Sequence, residues 1–350
     1  MPTVVIKSIK PDGSGDFTGI AAFFAAVPSD LVALDEQWIG ECYGTGETLT
    51  TSINTPVVTS DATRNIILRA APGYKAYPDG SGYFLTQNST YRTCINGSNS
   101  TTYITVENIG AKAGTTGLSI GFGSNTSTNF RTVFKNCVAK DFKSGTSIYA
   151  CGFSIKRAKA INCIAINCTY GFRQNSTWYG MDLRGCGAYD CTHLAYQYKS
   201  GSNGYNQGST FVNDLAMSNG LSTGIIEDIG TYNSNGSYSC ASEFGQNAPF
   251  PVNTPLAVNL VISDFVDYAN SDYHPSATSQ FKTAGHDDSA ENPFDFDGNP
   301  RSTTPAIGPF EAAAAPSSSS SIYLASTNIT KAYVGTTQLS KIMFNNSQLL

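Results

Sequence analysis

Carboxylate pairs are the residues of this sequence that could most directly catalyse hydrolysis. Cleavage of a glycosidic bond usually requires two carboxyl groups about 5–9.5 Å apart across an exposed groove. The candidate pairs are Asp182 with Asp190, Glu227 with Asp228, and Asp264 with Asp267. Neighbouring residues of a strand point to opposite faces, so Glu227 and Asp228 should not act together. For every pair, ordinary surface or turn carboxylates remain the alternative.

Two acidic residues beside a histidine form another candidate for acid–base chemistry. Asp287 and Asp288 directly follow His286. The Gly, Ser and Pro residues around them are typical of a loop. We therefore interpret this stretch as a loop.

A calcium loop is suggested by Asp295, Asp297 and Asn299, which offer oxygen atoms at the appropriate spacing. A complete EF-hand loop also needs a distal Glu, and Ala306 stands at that position. A capping turn is the alternative explanation for these residues. We expect no other metal site and no cofactor.

A group of aromatic residues forms a candidate binding surface. They cluster in a region where the loops between predicted strands become longer. Exposed rings of this kind stack on sugar faces or form subunit contacts, and burial in a core is the alternative. The candidates are Trp178, Tyr179, Tyr196, Tyr198 and Tyr205.

The nine cysteines are too irregular in number and spacing for a disulfide scaffold, because the count is odd and no Cys-x-x-Cys pair occurs. The gap between Cys163 and Cys168 recurs between Cys186 and Cys191, which predicts two parallel cysteine columns. Reduced thiols packed as small apolar groups are the favoured interpretation. Disulfides between coils and reactive or metal-binding thiols are the alternatives, and the sequence does not decide which columns face inward.

An internal repeat determines the predicted fold. When similar hexapeptides are aligned, alanines recur at positions 111, 139, 165, 188 and 216, with spacings of 28, 26, 23 and 28. A period in the twenties, with apolar strands and polar breaks in each unit, is typical of a β-solenoid. The sequence therefore predicts an all-β, parallel β-helix in which equivalent residues stack in columns.

Composition and charge restrict the class of protein. Only 13% of residues are charged and Gly is abundant, which favours turn-rich β structure. The net charge of −5, without a basic run, argues against nucleic-acid binding. The apolar run 20–28 is too short to span a membrane, and no basic segment of a signal peptide precedes Val4. We expect neither membrane insertion nor a signal peptide.

The N terminus should cap the solenoid. Thr18 can serve as the N-cap of a short helix that ends before Pro28. One face of that helix carries Ile20, Phe23, Phe24 and Val27. A cap of this kind covers the unpaired strand edges of a first coil.

The segment Lys10–Phe17 (KPDGSGDF), together with this helix, resembles the opening of pectinesterases and other pectate-lyase-like proteins, which implies a right-handed parallel β-helix. The catalytic motifs of pectinesterases, pectate lyases and polygalacturonases are missing from the sequence, so the resemblance implies the fold without an activity. Asp295–Arg301 and Ile307–Glu311 resemble the closing segment of bacterial and phage β-helix domains.

A second module follows the solenoid. Residues 312–321 form an Ala- and Ser-rich linker, and residues 322–350 contain a ten-residue repeat that begins at Tyr323, Tyr333 and Met343. This piece is too small to be stable alone, which implies assembly. The sequence of this module resembles short repeats at the ends of phage tail-fibre and spike proteins.

These observations predict four segments: a cap at 1–34, a β-helix at 35–311, the linker, and an assembly or attachment module. The functional hypothesis is a phage virion subunit, a tail spike, tail fibre or head-decoration protein. We expect it to be made in the host cytoplasm and to form a homotrimer that contacts other virion proteins and bacterial surface polysaccharide. The alternative hypothesis is a lyase or glycosidase that depolymerises such glycans.

Overall fold

The computed structural model describes residues 1–97, 101–115, 117–124, 131–145, 147–174, 180–198, 210–217, 224–228, 235–241 and 260–312, with 333–334, 337–338, 343–344 and 347–348 near the C terminus. The chain divides into two compact units, Met1–Ala312 and Ala313–Leu350.

The first unit consists mainly of short strands. Two short helices, α1 (Ile20–Ala26) and α2 (Leu31–Leu34), follow the first strand. The strands are β1 (Thr3–Ile9), β2 (Glu36–Cys42), β3 (Gly46–Leu49), β4 (Ile53–Asn54), β5 (Ile66–Ala70), β6 (Phe84–Gln87), β7 (Thr93–Gly97), β8 (Ile104–Glu107), β9 (Gly110–Ala113), β10 (Ile120–Ser124), β11 (Thr132–Lys135), β12 (Val138–Lys140), β13 (Cys151–Ile155), β14 (Ala158–Ile161), β15 (Ile164–Ile166), β16 (Tyr170–Gln174), β17 (Asp182–Arg184), β18 (Gly187–Tyr189), β19 (Leu194–Tyr198), β20 (Thr210–Met217), β21 (Gly224–Asp228), β22 (Asn235–Ala241), β23 (Phe265–Asp267) and β24 (Asp272–Pro275).

Strands β1 to β22 wind into successive coils, and each complete coil contributes one strand to each of three faces. The first face stacks β1, β2, β5, β8, β11, β14 and β17, the second stacks β3, β6, β9, β12, β15 and β18, and the third runs from β4 to β21. β20 is long enough to pair with both β17 and β18. Every pairing within these faces is parallel, so the first unit is a parallel β-helix, as the sequence predicted.

Single residues in the left-handed backbone region form the corners between the first and second faces. Asn108, Asn136 and Asn162 occupy equivalent corners with φ of 62°, 51° and 51°. Asn tolerates this conformation better than most residues. Here its side chain also forms a hydrogen bond with the equivalent Asn of the neighbouring coil. The side-chain amide of Asn136 donates to Oδ1 of Asn108 at 3.2 Å, and the side-chain amide of Asn162 donates to Oδ1 of Asn136 at 3.3 Å. The second coil replaces this tight corner by the long loop 71–83.

The interior contains the predicted alanine column. Ala111, Ala139, Ala165, Ala188 and Ala216 are paired in register from coil to coil and are buried. Opposite them, third-face aromatic rings stack in a ladder. The ring centroids of Phe122 and Phe153 are 5.1 Å apart, those of Phe153 and Phe172 are 4.7 Å apart, and those of Phe172 and Tyr196 are 5.3 Å apart.

Both predicted cysteine columns face the interior. Cys163, Cys168, Cys186 and Cys191 are buried in the main core, and all eight cysteines whose side chains the structure describes are free. The Cys186 thiol donates to the carbonyl of Ala160 in the preceding coil at 3.3 Å. Burial raises the pKa of Cys191 to about 12. These cysteines are therefore protonated, small packing residues.

Helix α1 closes the N-terminal end, but its cap differs from the prediction. Ile20, Phe23, Phe24 and Val27 are buried as expected. The N-cap residue is Gly19, which makes no side-chain cap, so the assignment of Thr18 was wrong. The Ile20 amide donates instead to the Glu47 carboxylate of β3 at 3.0 Å. A tertiary contact thus satisfies the helix end that a local cap would have satisfied.

After the coils, a closing segment, residues 260–312, covers the outside of the second face. Outward apolar residues such as Val138, Ile164 and Tyr189 pack against residues of this segment, forming a second hydrophobic core. The antiparallel pair β23–β24 belongs to the closing segment. Arg301 is buried and bonds to Glu311 at 2.7 Å and to the Asn162 side chain at 2.9 Å, which fixes the segment on the corner ladder.

In the part of the second unit that the structure describes, two short antiparallel pairs lie ten residues apart, the spacing of the repeat. They are β25 (Tyr333–Val334) with β26 (Thr337–Gln338), and β27 (Met343–Phe344) with β28 (Ser347–Gln348).

Candidate functional site

In the two candidate carboxylate pairs whose side chains the structure describes, each carboxylate has a different hydrogen-bond partner. Asp182 bonds to Arg184 at 2.9 Å, whereas Asp190 accepts a hydrogen bond from the Tyr268 hydroxyl at 2.9 Å. Asp264 accepts from the amide of Val261 and Asp267 accepts from the side chain of Asn270, so each of these carboxylates organises its own turn. Glu227 and Asp228 lie on β21, and their side chains are outside the described residues.

The aromatic candidates are only partly described. Trp178, Tyr179 and Tyr205 lie outside the described residues, and only the backbone of Tyr198 is described, in β19. Tyr196 ends the interior aromatic ladder, and its hydroxyl donates to the carbonyls of Leu215 and Cys186 at 2.9 and 3.1 Å. Tyr196 is therefore a core residue, the alternative left open by the sequence, and cannot stack on an external ligand.

The loop at 286–288 has a structural role that the sequence did not indicate. Asp288 is an ion-pair partner of Arg184, and the amide of His286 donates to the Asn213 side chain at 2.7 Å. Asp287 is exposed and accepts from the amide of Ser289. Our interpretation as a simple loop was incomplete, because residues 286–288 attach the closing segment to the coil corners.

An ion-pair layer continues this attachment along the outside of the first face. Lys159 lies 3.5 Å from Asp182 and 3.2 Å from Glu291, and Arg184 bridges Asp182 and Asp288. Burial raises the pKa of Asp288, whereas Lys159 lowers the pKa of Glu291. Two carboxylates with different proton affinities therefore lie in one ion-pair layer, Asp288 paired with Arg184 and Glu291 paired with Lys159.

The calcium candidate residues divide between two roles. Asp295 is buried and accepts hydrogen bonds from the Asn299 amide at 2.7 Å and from the Glu311 amide at 2.9 Å, which is the capping-turn alternative. The Asp297 carboxylate turns toward His274 and Lys75. Among the residues with described side chains, no group of three or more His, Cys, Asp or Glu residues is arranged to hold a metal ion. A calcium site at these residues stays a prediction.

Asp297 belongs to an open cleft of about 310 Å³ between loop 71–83 and the closing segment, here called the His274 cleft. Its lining residues include Tyr77, Asp79, Ser81, Asp272, His274, Asp297 and Phe310. Tyr77 is 42% exposed. The cleft thus combines an accessible aromatic ring with several carboxylates and a histidine.

His274 joins two carboxylates in this cleft. Its Nδ1 lies 2.6 Å from Asp272 and its Nε2 lies 2.7 Å from Asp297. Burial lowers the pKa of His274, but hydrogen bonds to Asp297 and Asp272 outweigh it and leave the pKa above its ordinary value. Burial raises the pKa of Asp297, but His274 and Lys75 outweigh it and leave that pKa lowered. The ring of His274 also packs on Phe310 at 4.3 Å.

Lys75 contacts two of the residues that line the cleft. Its ammonium lies 3.6 Å from Asp297 and 5.2 Å from the centroid of the Tyr77 ring, and it donates to the carbonyl of Phe296. Cation–π contact of this kind restrains the ring of Tyr77. The walls are thus held in place without a ligand, which reduces the entropy cost of binding one.

Sequence reasoning missed His274, Asp272 and the loop that contains Tyr77. The signal that could have located the loop is the turn-rich run 71–83, which interrupts the corner register of the other coils. His274 has no local motif around it.

Comparisons with known proteins identify no family for this chain. No family model matches the chain, and no curated protein matches it. Among solved structures, the crystal structure of pectate lyase Pel9A matches with 14% identity and a TM-score of 0.38, covering 89% of this chain and 97% of that chain. We draw no residue role or activity from a similarity at this level. The register of the strands itself defines the chain as a parallel β-helix protein.

Among the described residues, no helix is long and apolar enough to cross a membrane.

Proposed function

We propose that this protein is a structural subunit of a bacteriophage virion, a tail spike, tail fibre or head-decoration protein, and that it contacts glycans of the bacterial surface through the His274 cleft. The observation that carries the glycan contact is the cleft itself, where the exposed ring of Tyr77 lies among the side chains of Asp79 and Asp272. An aromatic face and several hydrogen-bond acceptors are the groups that recognise a sugar ring and its hydroxyls.

Two features support a virion role. The closing segment covers the second face, and the ion-pair layer along the first face fixes that segment to the coils, which suits a rigid extracellular stalk. The ten-residue repeats resemble the ends of phage fibre and spike proteins, and their paired strands occur at the repeat spacing. A module of this size needs partners to be stable, which favours a homotrimer or attachment to other virion proteins.

The test is a binding titration of the full chain against purified capsular polysaccharides, O-polysaccharides and wall teichoic acids. Tyr77→Ala should weaken binding at least about tenfold, because aromatic contacts carry much of the energy of such sites. Tyr91→Ala is the matched control, since Tyr91 is also exposed but lies outside the cleft. Equal loss in both variants, or no binding by the unaltered protein, would contradict the proposal.

Glycan cleavage is a second candidate, favoured by one observation. Asp288, which is paired with Arg184, has a raised pKa, and Glu291, which is paired with Lys159 in the same ion-pair layer, has a lowered pKa, which is the division expected between a general acid and a general base. Reducing ends and unsaturated products should be measured in the same titrations. Turnover that Asp288→Asn and Glu291→Gln both abolish would replace a purely structural function by a depolymerase.

A further inference from the structure

A second open cleft of about 330 Å³ lies at the N-terminal end of the β-helix and is here called the Tyr43 cleft. Its lining residues include Lys10, Asp12, Ser14, Tyr43, Thr45 and Tyr74. Lys10, Asp12 and Ser14 belong to the KPDGSGDF segment, which the His274 cleft does not use. This second cleft also combines aromatic rings with polar side chains.

The aromatic wall of the Tyr43 cleft is held in one orientation. The rings of Tyr43 and Tyr74 meet edge to face at 5.6 Å, and the Lys10 ammonium lies 5.1 Å above the ring of Tyr43. The Tyr43 hydroxyl donates to Glu41 at 3.0 Å, and Arg69 holds Glu41 at 2.6 Å. Tyr74 remains 37% exposed. The ordered rings form a preorganised surface, as in the His274 cleft.

The two clefts are neighbours along one short segment of loop 71–83. Tyr74 lines the Tyr43 cleft and Tyr77 lines the His274 cleft, and a three-residue separation cannot exceed about 11 Å between their Cα atoms. Between them, Ala76 is fully buried, and the side chain of Lys75 is held against Phe296 and Asp297. The side chains of Lys75 and Ala76 are thus both engaged in contacts within the protein.

We propose that both clefts bind a single linear polysaccharide chain, which crosses the segment Tyr74–Tyr77 and is recognised within the chain rather than at its end. This inference rests on the proposed function of the His274 cleft as a glycan site. Simultaneous contact with two nearby sites raises affinity through the high effective concentration of the second contact. A fragment too short to reach both clefts should therefore bind with the affinity of a single cleft.

The experiment uses the full chain and a size-fractionated ladder, from one to about eight repeat units, made by partial acid hydrolysis of the panel polysaccharide that binds best. Affinity should rise with fragment length by at least about tenfold and then level off. Tyr74→Ala should remove this rise while leaving the shortest fragments unchanged, whereas Tyr77→Ala should weaken every fragment. Tyr74→Phe keeps the ring and should retain the length dependence, which controls for folding.

The outcomes separate the inference from the proposed function. If short fragments bind as tightly as the polymer, or if Tyr74→Ala keeps the rise with length, the shared-chain inference is overturned while the His274 cleft remains a glycan site. If no polysaccharide of the panel binds to the unaltered protein, both fail.

Discussion

Replacement of His274 by Gln should destabilise the protein more at about pH 5.5 than at about pH 8.5. The imidazolium has two N–H donors and can serve Asp272 and Asp297 together, whereas neutral imidazole has one. The folded pKa of His274 is raised above its ordinary value of 6.5. Its stabilising contribution is therefore fully present below that unfolded value and is lost as pH rises through the folded pKa.

The expected magnitude follows from the two contacts. Hydrogen bonds between charged groups contribute about 1.5–3 kcal/mol when they are well shielded. The Asp272 side chain is 40% exposed and that of Asp297 is 28% exposed. Solvent screening therefore reduces the contact of His274 with Asp272 to below about 1 kcal/mol and its contact with Asp297 to about 1.5 kcal/mol. His274→Gln should thus cost about 2 kcal/mol at the lower pH and about 1 kcal/mol or less at the higher pH.

Urea unfolding at both pH values measures this difference as a change in midpoint with an unchanged slope. His193→Gln is the matched control, because His193 packs edge-on against Tyr170 at 5.0 Å and has no carboxylate partner among the described residues. An effect of His274→Gln that is equal at both pH values, or larger at the higher one, would refute the reasoning.

Three further predictions concern the core, the thiols and the C-terminal module. Phe153→Ala removes a fully buried ring from the middle of the aromatic ladder and should lower the free energy of unfolding by about 4 kcal/mol in urea titrations, and a loss below about 1 kcal/mol would contradict the stacking. The described cysteines should react with a disulfide reagent only after denaturation, so rapid labelling of Cys163 or Cys186 in the native protein would show that the columns are accessible. Truncation after Ala312 should convert a trimer into a monomer in light scattering, and an unchanged mass would argue against assembly through the repeats.

The periodic part of the fold could be predicted from the sequence because each coil repeats the same local solution. The alanine spacing identified the register, because Ala111, Ala139 and Ala165 pair directly from coil to coil. The direction of the cysteine columns could not be predicted, since a period near 25 residues fixes which residues stack but not which side they occupy.

The candidate site could not be predicted because it depends on contacts between distant segments. His274 meets Asp297 and Lys75 only when the closing segment lies beside loop 71–83. The partners of Asp182 and Asp190 could not be predicted for the same reason, since Asp190 bonds to Tyr268 of the distant closing segment while Asp182 bonds to Arg184. The Thr18 cap failed because Glu47, from a later strand, supplies the acceptor.

The most direct test of glycan contact at the cleft is hydrogen–deuterium exchange of the full chain with and without the polysaccharide that binds best. We expect slower exchange in residues 74–81 and 270–274, which line the His274 cleft and its approach. Protection confined instead to the exposed pair Tyr91 and Tyr149, or absent from 74–81 and 270–274 while binding is saturated, would contradict the assignment of the cleft as the glycan site.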